Sequence, residues 1–458
     1  MPDSDAAPHG LHALAAAREA PATLLAVERP GVGALLAARG DAGDGSAPDL
    51  DTSFRIASCT KSFTAARVLQ LRDAGLLDLD DPIDRHLPVA PLLIGDGHPV
   101  ITVRAAMSMS AGLPTDDAWA DRQESMAPGL LDALGADGVR LVRTPGSGYE
   151  YANLGFAWLG RVCEHLDGRP FAEQVRDELV LPLGLGEVTF SEPRTGRVAT
   201  GYARVGGEWS AQPVSGPGAF SAIGGIFASG AALLRWSRWL LEACGHAVGR
   251  DDRVLSAASR REMQRPQTLI SSAGTGASAA YGFGLVIEAD ERLGTVVSHS
   301  GGYPGFSAHM RWHPVSGIAA VGFENARYSG VSMIVTQALA EAVGAAQTAA
   351  EPWPETQSAV RAVTALLASG GGDDWLRFLE RECDPVVALD DSADDRRLRA
   401  AALVGDGARS APPTFPTAAS AEWQVEGAAG SARVVLELSP LEPPRIQRLE
   451  ISAASVTP

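Results

Sequence analysis

A single lysine stands in this 458-residue chain. Of 38 Lys plus Arg, only Lys61 is lysine. Arginine supplies positive charge but keeps its proton inside a protein, whereas a buried lysine shifts its pKa readily and can act as a base. Lys61 follows Ser58 by three residues, in Phe54-Arg55-Ile56-Ala57-Ser58-Cys59-Thr60-Lys61. On a helix, positions i and i+3 share a face, so Ser58 Oγ and Lys61 Nζ can meet. A hydroxyl with an amine beside it is a nucleophile with its base, the pairing that covalent acyl transfer requires.

Two later patches fit the same chemistry. Tyr151-Ala152-Asn153 offers a phenol and an amide two residues apart in backbone that reads as extended, so both can face one cleft. A phenol titrates near ~10, and neighbouring cations are expected to lower Tyr151 enough for proton shuttling. Asn153 can hydrogen-bond Lys61 or a substrate amide. His299-Ser300-Gly301-Gly302 ends a predicted strand. Its small residues let a substrate lie alongside, and a backbone N–H there can complete an oxyanion hole with that of Ser58. His299 is expected to add a titratable donor near the tetrahedral intermediate.

These residues need elements to hold them. Strands are expected at Ala22 to Val27 and Val32 to Ala38, after a short helix from His12 to Ala20. A Gly/Asp-rich loop then delivers the chain to a core helix running from Ser58 to about Ala74, with Gly75 as its stop. Ser58 thus sits where free N–H groups favour developing negative charge. A partly helical region, Asp116 to Val142, precedes a helix that runs through Cys163. Gly206 to Gly218 reads as loop and Leu233 to Cys244 as a helix with a Trp236/Trp239/Leu240 core stripe. Tyr281 to Ile287, Thr295 to His299, Phe306 to Trp312 and Ile318 to Phe323 form strands of an antiparallel sheet, closed by a helix from Val331 to Val343. The expectation is an α+β fold: an α/β sandwich around a central antiparallel sheet, with a helical region. Glu351 to Glu355 reads as a linker, dividing a domain of residues 1–350 from a small α+β domain of 351–458. The latter's helices fall at Ser358 to Ala368 and Trp375 to Cys383, and its best strands at Ala432 to Leu438 and Arg445 to Ile451.

The formal charge of −17 and a pI near 5.0 argue against nucleic acid or an anionic membrane as partner. No run of about 18 apolar residues exists to span a bilayer. The N-terminus is acidic, without a basic segment leading an apolar one. Cys59, Cys163, Cys244 and Cys383 are widely spaced and suit reduced thiols. A cytoplasmic protein is expected. There is no Gly-x-Ser-x-Gly, His-Glu-x-x-His or Walker loop, and His309 and His313 lack a third ligand nearby, so no metal or cofactor is expected.

Ser58-x-x-Lys61, Tyr151-x-Asn153 and His299-x-Gly301 follow one another in an order and spacing that resemble the serine β-lactamase and penicillin-binding-protein superfamily, its class C-like branch above all. The flanks Phe54-Arg55-Ile56-Ala57, Ser110-Ala111-Gly112-Leu113-Pro114, Tyr281-Gly282-Phe283-Gly284 and Tyr303-Pro304-Gly305-Phe306 agree, over about residues 20 to 345. The resemblance implies a β-lactamase/transpeptidase-like fold and no cofactor. Ser58 would be the acylated nucleophile, Lys61 its base, Tyr151 the proton shuttle and Asn153 a substrate-positioning residue. The N–H groups of Ser58 and Gly302 would form the oxyanion hole.

His299 departs from the Lys that β-lactamases of this branch carry there to meet a drug carboxylate. A histidine is instead similar to esterases, D-peptidases and the penicillin-binding-protein-type thioesterases that release and cyclise nonribosomal peptides. That last group is the leading expectation, with a carboxylesterase or D-stereospecific peptidase as the alternative, then a β-lactamase or a ligand-binding module that no longer turns over. It implies a peptide-like acyl substrate on a peptidyl carrier protein, a lipocalin-like C-terminal domain and an Arg reaching the substrate, for which Arg445 is the counterpart here. The pairing of Ser58 with Lys61 predicts that Lys61→Arg abolishes acylation although it preserves charge. Near-normal acylation rates in that variant would remove Lys61 as the base.

Overall fold

The structure, a computed structural model, describes residues 6–92, 99–186, 188–245, 252–270, 278–290, 292–327, 329–346, 351–369 and 374–453. The chain divides into two compact units, Met1–Gly344 and Ala345–Pro458.

Alternating strands with short turns pair into one eight-stranded antiparallel sheet in the first unit. Its strands are β1 (Ala22–Arg29), β2 (Gly33–Gly40), β3 (Thr268–Ile270), β4 (Ser278–Tyr281), β5 (Val286–Asp290), β6 (Gly294–Tyr303), β7 (Phe306–His313) and β8 (Ile318–Glu324). The order across the sheet is β2-β1-β8-β7-β6-β5-β4-β3. The N-terminal hairpin therefore closes against the last strand, in the register Leu25↔Gly322. Helices Ala6–Ala16 and Val331–Ala346 cover one face through Leu11, Val27, Ile318, Val335 and Leu339. Gly322 allows the closing helix its approach, since a Cβ there would stand 2.5 Å from Val335 Cγ2. The other face carries the main core, with helices Thr60–Asp73, Asn153–Asp167 and Gly230–Glu242.

The Thr60–Asp73 helix is the axis of that core. Eleven of its fourteen residues are buried, so it has no solvent stripe and is packed on every side. Phe63 stacks on Trp236 at 3.7 Å between centroids, and Trp236 Nε1 donates to Ser62 Oγ at 2.9 Å. Gly75 ends the helix in the left-handed region (φ +74°), with its N–H on the Arg72 carbonyl.

Several expected elements change in the folded chain. The first helix is Ala6–Ala16 instead of His12 to Ala20; Pro21 disfavours helical backbone at Ala20, the expected end. Tyr281 to Ile287 is not one strand: Gly282–Leu285 is a turn between β4 and β5, with Gly284 at φ +67°. Gly206 and Gly207 turn a two-stranded ribbon, Tyr202–Val205 with Glu208–Ala211, where loop alone was expected. Asn153 is the first residue of a helix, with Ala152 before it in extended geometry.

The second unit has a five-stranded sheet: β9 (Arg409–Ser410), β10 (Thr414–Thr417), β11 (Ser420–Glu426), β12 (Ser431–Leu438) and β13 (Ile446–Ala453). Helices Pro354–Ala368, Asp374–Glu382 and Ala393–Leu403 pack on it around Trp375, Phe378, Trp423 and Leu436. The path β9-β11-β12-β13 is open, with β10 beside β11, which makes this unit α+β and not a closed lipocalin-like barrel. Among the described residues no helix is long and apolar enough to cross a membrane.

One buried ion pair fastens the segments that surround Ser58. Arg55 lies on the short strand Ser53–Arg55, and Glu124 in the helical region; both are about 1 % exposed. Glu124 accepts from Arg55, from Tyr303 Oη at 2.9 Å and from Ser215 Oγ at 2.9 Å. Arg55 also donates to the Gly224 carbonyl at 3.2 Å and lies 4.0 Å from the Tyr303 ring centroid. Removing one member of such a pair strands the other charge in low dielectric. Glu124→Leu is therefore expected to destabilise the protein by roughly 3–5 kcal/mol in denaturant unfolding, with Arg55→Met added to it restoring much of the loss. A loss under about 1 kcal/mol for the single variant would show that Arg55 finds its compensation elsewhere.

Candidate active site

Ser58 occupies a one-turn 3-10 segment, Ala57–Cys59, that feeds straight into the Thr60–Asp73 helix. Ala57 takes φ +48°, a left-handed conformation that costs an L-residue of order 1 kcal/mol and persists only where packing imposes it. The imposing partner is β6. A Cβ on Gly301 would come within 2.2 Å of the Ile56 oxygen and 3.0 Å of Ala57 Cβ, so only glycine lets the strand lie against this turn. Cys59 Sγ donates to the His299 carbonyl at 3.3 Å, fixing turn and strand from the other side. Burial pushes the Cys59 thiol up to about 12, which leaves it a packing group.

Lys61 is wholly buried. Its Nζ stands 2.9 Å from Ser58 Oγ, 2.7 Å from Asn153 Oδ1 and 2.9 Å from the Ile223 carbonyl. Burial lowers its pKa to about 8, against the pull of Asp117, Asp121 and Asp116, which favour the ammonium. A neutral amine has two N–H groups and one lone pair. Asn153 Oδ1 and the Ile223 carbonyl can only accept, so they take both N–H groups and leave the lone pair for the Ser58 hydroxyl. The backbone beneath is held as tightly: Gly284 approaches so closely that a Cβ would stand 2.4 Å from the Lys61 oxygen.

Tyr151 joins this group. Its phenol hydrogen-bonds Ser58, and its ring centroid lies 5.1 Å from Lys61 Nζ. The expected acidification does not occur. Burial raises the Tyr151 phenol well above its ordinary value and outweighs the hydrogen bond with Ser58; Asp117, Tyr149 and Asp121 add to the rise. Tyr151 is therefore a proton donor in its resting state, and the amine is the group able to accept.

His299 also differs from expectation. Its ring sits 6.5 Å from that of Tyr151, but Nδ1 faces the Ser300 carbonyl at 2.6 Å and Nε2 the Tyr281 phenol at 2.9 Å. The carbonyl only accepts, so Nδ1 carries the hydrogen and Nε2 accepts from Tyr281. Burial, with Lys61 nearby, drops the imidazole to about 3. His299 is neutral throughout the working range, and both of its nitrogens are engaged by the protein. It shapes the wall behind Tyr151 and is not the titratable donor expected of it.

Gly302 follows on the same strand, opposite Ser307 of β7, and is partly exposed. Arg445 lies in the second unit, where its guanidinium donates to the Glu380 carbonyl at 2.5 Å. Among the described residues no group of His, Cys, Asp and Glu side chains is arranged to hold a metal ion. His309 and His313 bond Ser300 and Ser316 respectively.

The sequence reading missed the carboxylates behind Asn153. Asp116 accepts from the N–H groups of Asn153 and Leu154 at 2.7 and 2.8 Å, capping their helix. Asp116 and Asp117 also accept from Asn153 Nδ2 at 3.0 and 2.7 Å. Asp121 pairs with Arg327 at 2.7 Å, while burial, the largest effect on it, holds its carboxyl up near about 6. The available signal was Asp116-Asp117 one residue after Gly112-Leu113-Pro114, acidic residues following a tight turn, in a stretch that has no periodicity to reveal its partners. With its amide bonded on both sides, Asn153 stands behind Lys61.

The Beta-lactamase family model matches residues 11–345. Penicillin-binding protein 4* of Bacillus subtilis (strain 168) is 28% identical over 270 residues, 56% of this chain and 57% of that protein. The chain thus spans little more than half the length of that relative. Among solved structures, a D-stereospecific amidohydrolase from Streptomyces sp. superposes with TM-score 0.60 at 26% identity, covering 74% of this chain and 98% of that one. An octameric penicillin-binding protein homologue from Pyrococcus abyssi gives TM-score 0.65 at 19% identity, covering 98% of this chain and all of that one, a likeness of fold. The family match takes in Ser58, Lys61, Tyr151 and the Gly301 strand that holds their turn, and the chain belongs to the Beta-lactamase family.

Proposed function

We propose that this protein is a serine hydrolase that works through an acyl-enzyme on Ser58. The observation that carries the reading is a buried Lys61 amine, 2.9 Å from Ser58 Oγ, with a pKa held near about 8. In its neutral form Lys61 takes the Ser58 proton as Oγ attacks the acyl carbon. The backbone N–H groups of Ser58 and Gly302 receive the oxyanion. Tyr151, a phenol at rest, gives its proton to the leaving group as the carbon–leaving-group bond breaks, and the Lys61 ammonium then returns a proton to the phenolate. In the second half an acceptor, water or an amine, attacks the acyl-Ser58 ester; its proton passes to Lys61 and Ser58 Oγ leaves with a proton restored.

The electrostatics narrow the substrate. A neutral His299 offers no counter-charge to a substrate carboxylate, and Asp116, Asp117 and Asp121 surround Lys61. Esters, thioesters and amides without a carboxylate beside the scissile carbonyl suit the site best. D-configured amides are included, in line with the likeness to the Streptomyces amidohydrolase. A second reading, release and head-to-tail cyclisation of peptides carried on a peptidyl carrier protein, draws on the neutral His299 and the additional C-terminal unit. The open sheet of that unit withdraws the lipocalin-like feature that favoured it, so hydrolysis leads. Arg445 as a substrate contact belongs to this second reading. A cytoplasmic setting is supported by four free cysteines.

A fluorophosphonate probe followed by intact-mass analysis is expected to add once to the wild type and not to Ser58→Ala. With a p-nitrophenyl ester, kcat/KM should rise with pH through about 8, as Lys61 loses its proton. His299 should contribute no inflection near neutrality. An absent adduct, or an acid limb between about pH 6 and 7 that His299→Asn removes, would overturn the mechanism. A peptidyl thioester with a free N-terminal amine separates the two readings: linear product alone excludes cyclisation.

A further inference from the structure

The orientation of the Asn153 amide decides whether Lys61 can act. With Oδ1 toward Lys61, the amine gives its N–H groups to Asn153 and Ile223 and keeps its lone pair for Ser58. Rotated by 180°, the amide would aim Nδ2 at Lys61. An N–H donor would then compete with Ser58 for that lone pair, and the base would be blocked. Nothing in the Asn153 side chain itself selects between these orientations, because its two ends have nearly the same shape.

The selection comes from behind. Nδ2 lies 3.0 Å from Asp116 Oδ1 and 2.7 Å from Asp117 Oδ1, both of which only accept. The rotated amide would press Oδ1 against two carboxylates. Asp116 is itself pinned by the N–H groups of Asn153 and Leu154, whereas Asp117 bonds the amide at the shorter distance. Resting on the acyl-enzyme reading above, we propose that Asp117, backed by Asp116, is a positioning residue that locks the Asn153 amide with its oxygen on Lys61 and so aims the amine's lone pair at Ser58.

Asp117 acts on Lys61 in a second way, as a nearby negative charge that opposes the effect of burial. The other groups around the amine are Ser58 and Cys59 on its own turn and Tyr151 ahead of the Asn153–Asp167 helix. His299 on β6 lies beyond, with Tyr281 of β4 behind it. Asp116 and Asp121 flank Asp117, and Arg327 is paired to Asp121. Two substitutions separate orientation from charge. Asp117→Asn keeps an acceptor for Asn153 Nδ2 and removes the charge; Asp117→Ala removes both.

With the p-nitrophenyl ester, Asp117→Ala is expected to lower the plateau kcat about tenfold or more with KM little changed, and Asp117→Asn to restore it to within about threefold. In both, loss of the negative charge should move the acid limb of kcat/KM to lower pH by about half a unit or more. Should Asp117→Ala fail to fold, Asp117→Leu, which likewise takes the acceptor away from Asn153 Nδ2, carries the same plateau test. A wild-type plateau in the variant that lacks the acceptor would overturn the proposal. Wild-type protein that forms no fluorophosphonate adduct would instead overturn the acyl-enzyme reading on which it rests.

Discussion

The site depends on keeping one amine dry. Burial alone can lower a lysine by about 3–5 units, far enough to leave it neutral but too weak a base for a serine hydroxyl. Here Lys61 comes to rest at about 8 because three aspartates stand close enough to hold part of its proton affinity. Those aspartates do not touch it: Asp116 and Asp117 act through the Asn153 amide, and Asp121 is paired to Arg327. Direct contact would fix the ammonium. Distance with a neutral intermediary leaves an amine that can cycle between its two forms near neutrality.

That dryness has structural consequences outward from Lys61. Its helix must be enclosed on every side, and the sheet must pass close to the Ser58 turn without a side chain between them. At Gly301 against Ile56 and at Gly284 against the Lys61 carbonyl backbone meets backbone, and neither could carry a Cβ. The strain at Ala57 is held by the same contacts. Arg55 and Glu124 then tie β6 through Tyr303, the Gly224 segment and the helical region into one frame. A buried ion pair is a poor source of stability in itself. Its use here is to fix positions, because a charge with no alternative partner tolerates little displacement.

The residue at 299 shows how one position changes what the frame can accept. The imidazole turns both nitrogens to the protein, to Ser300 and Tyr281, and gives up its charge to burial. What remains beside Tyr151 is a neutral ring, while Asp116, Asp117 and Asp121 act on Lys61 from behind Asn153.

The sequence by itself determined the local signals. A lone lysine three residues after a serine, a glycine stop at Gly75, the strand periods from Thr295 to Phe323 and the helical stripe at Trp236 and Trp239 are all short-range patterns, and each element formed within a few residues of its expected bounds. The ordered motifs did the same for the fold of the first unit. Tertiary structure alone decided protonation and partnership. Tyr151 rose where neighbouring cations suggested a fall, and His299 became neutral, because burial is a property of the whole packed core and not of a residue's neighbours in sequence. Asp116 and Asp117 were invisible as site residues for a related reason. Their partner is Asn153, thirty-odd residues on, and an aperiodic loop carries no mark of where in space its carboxylates will come to rest.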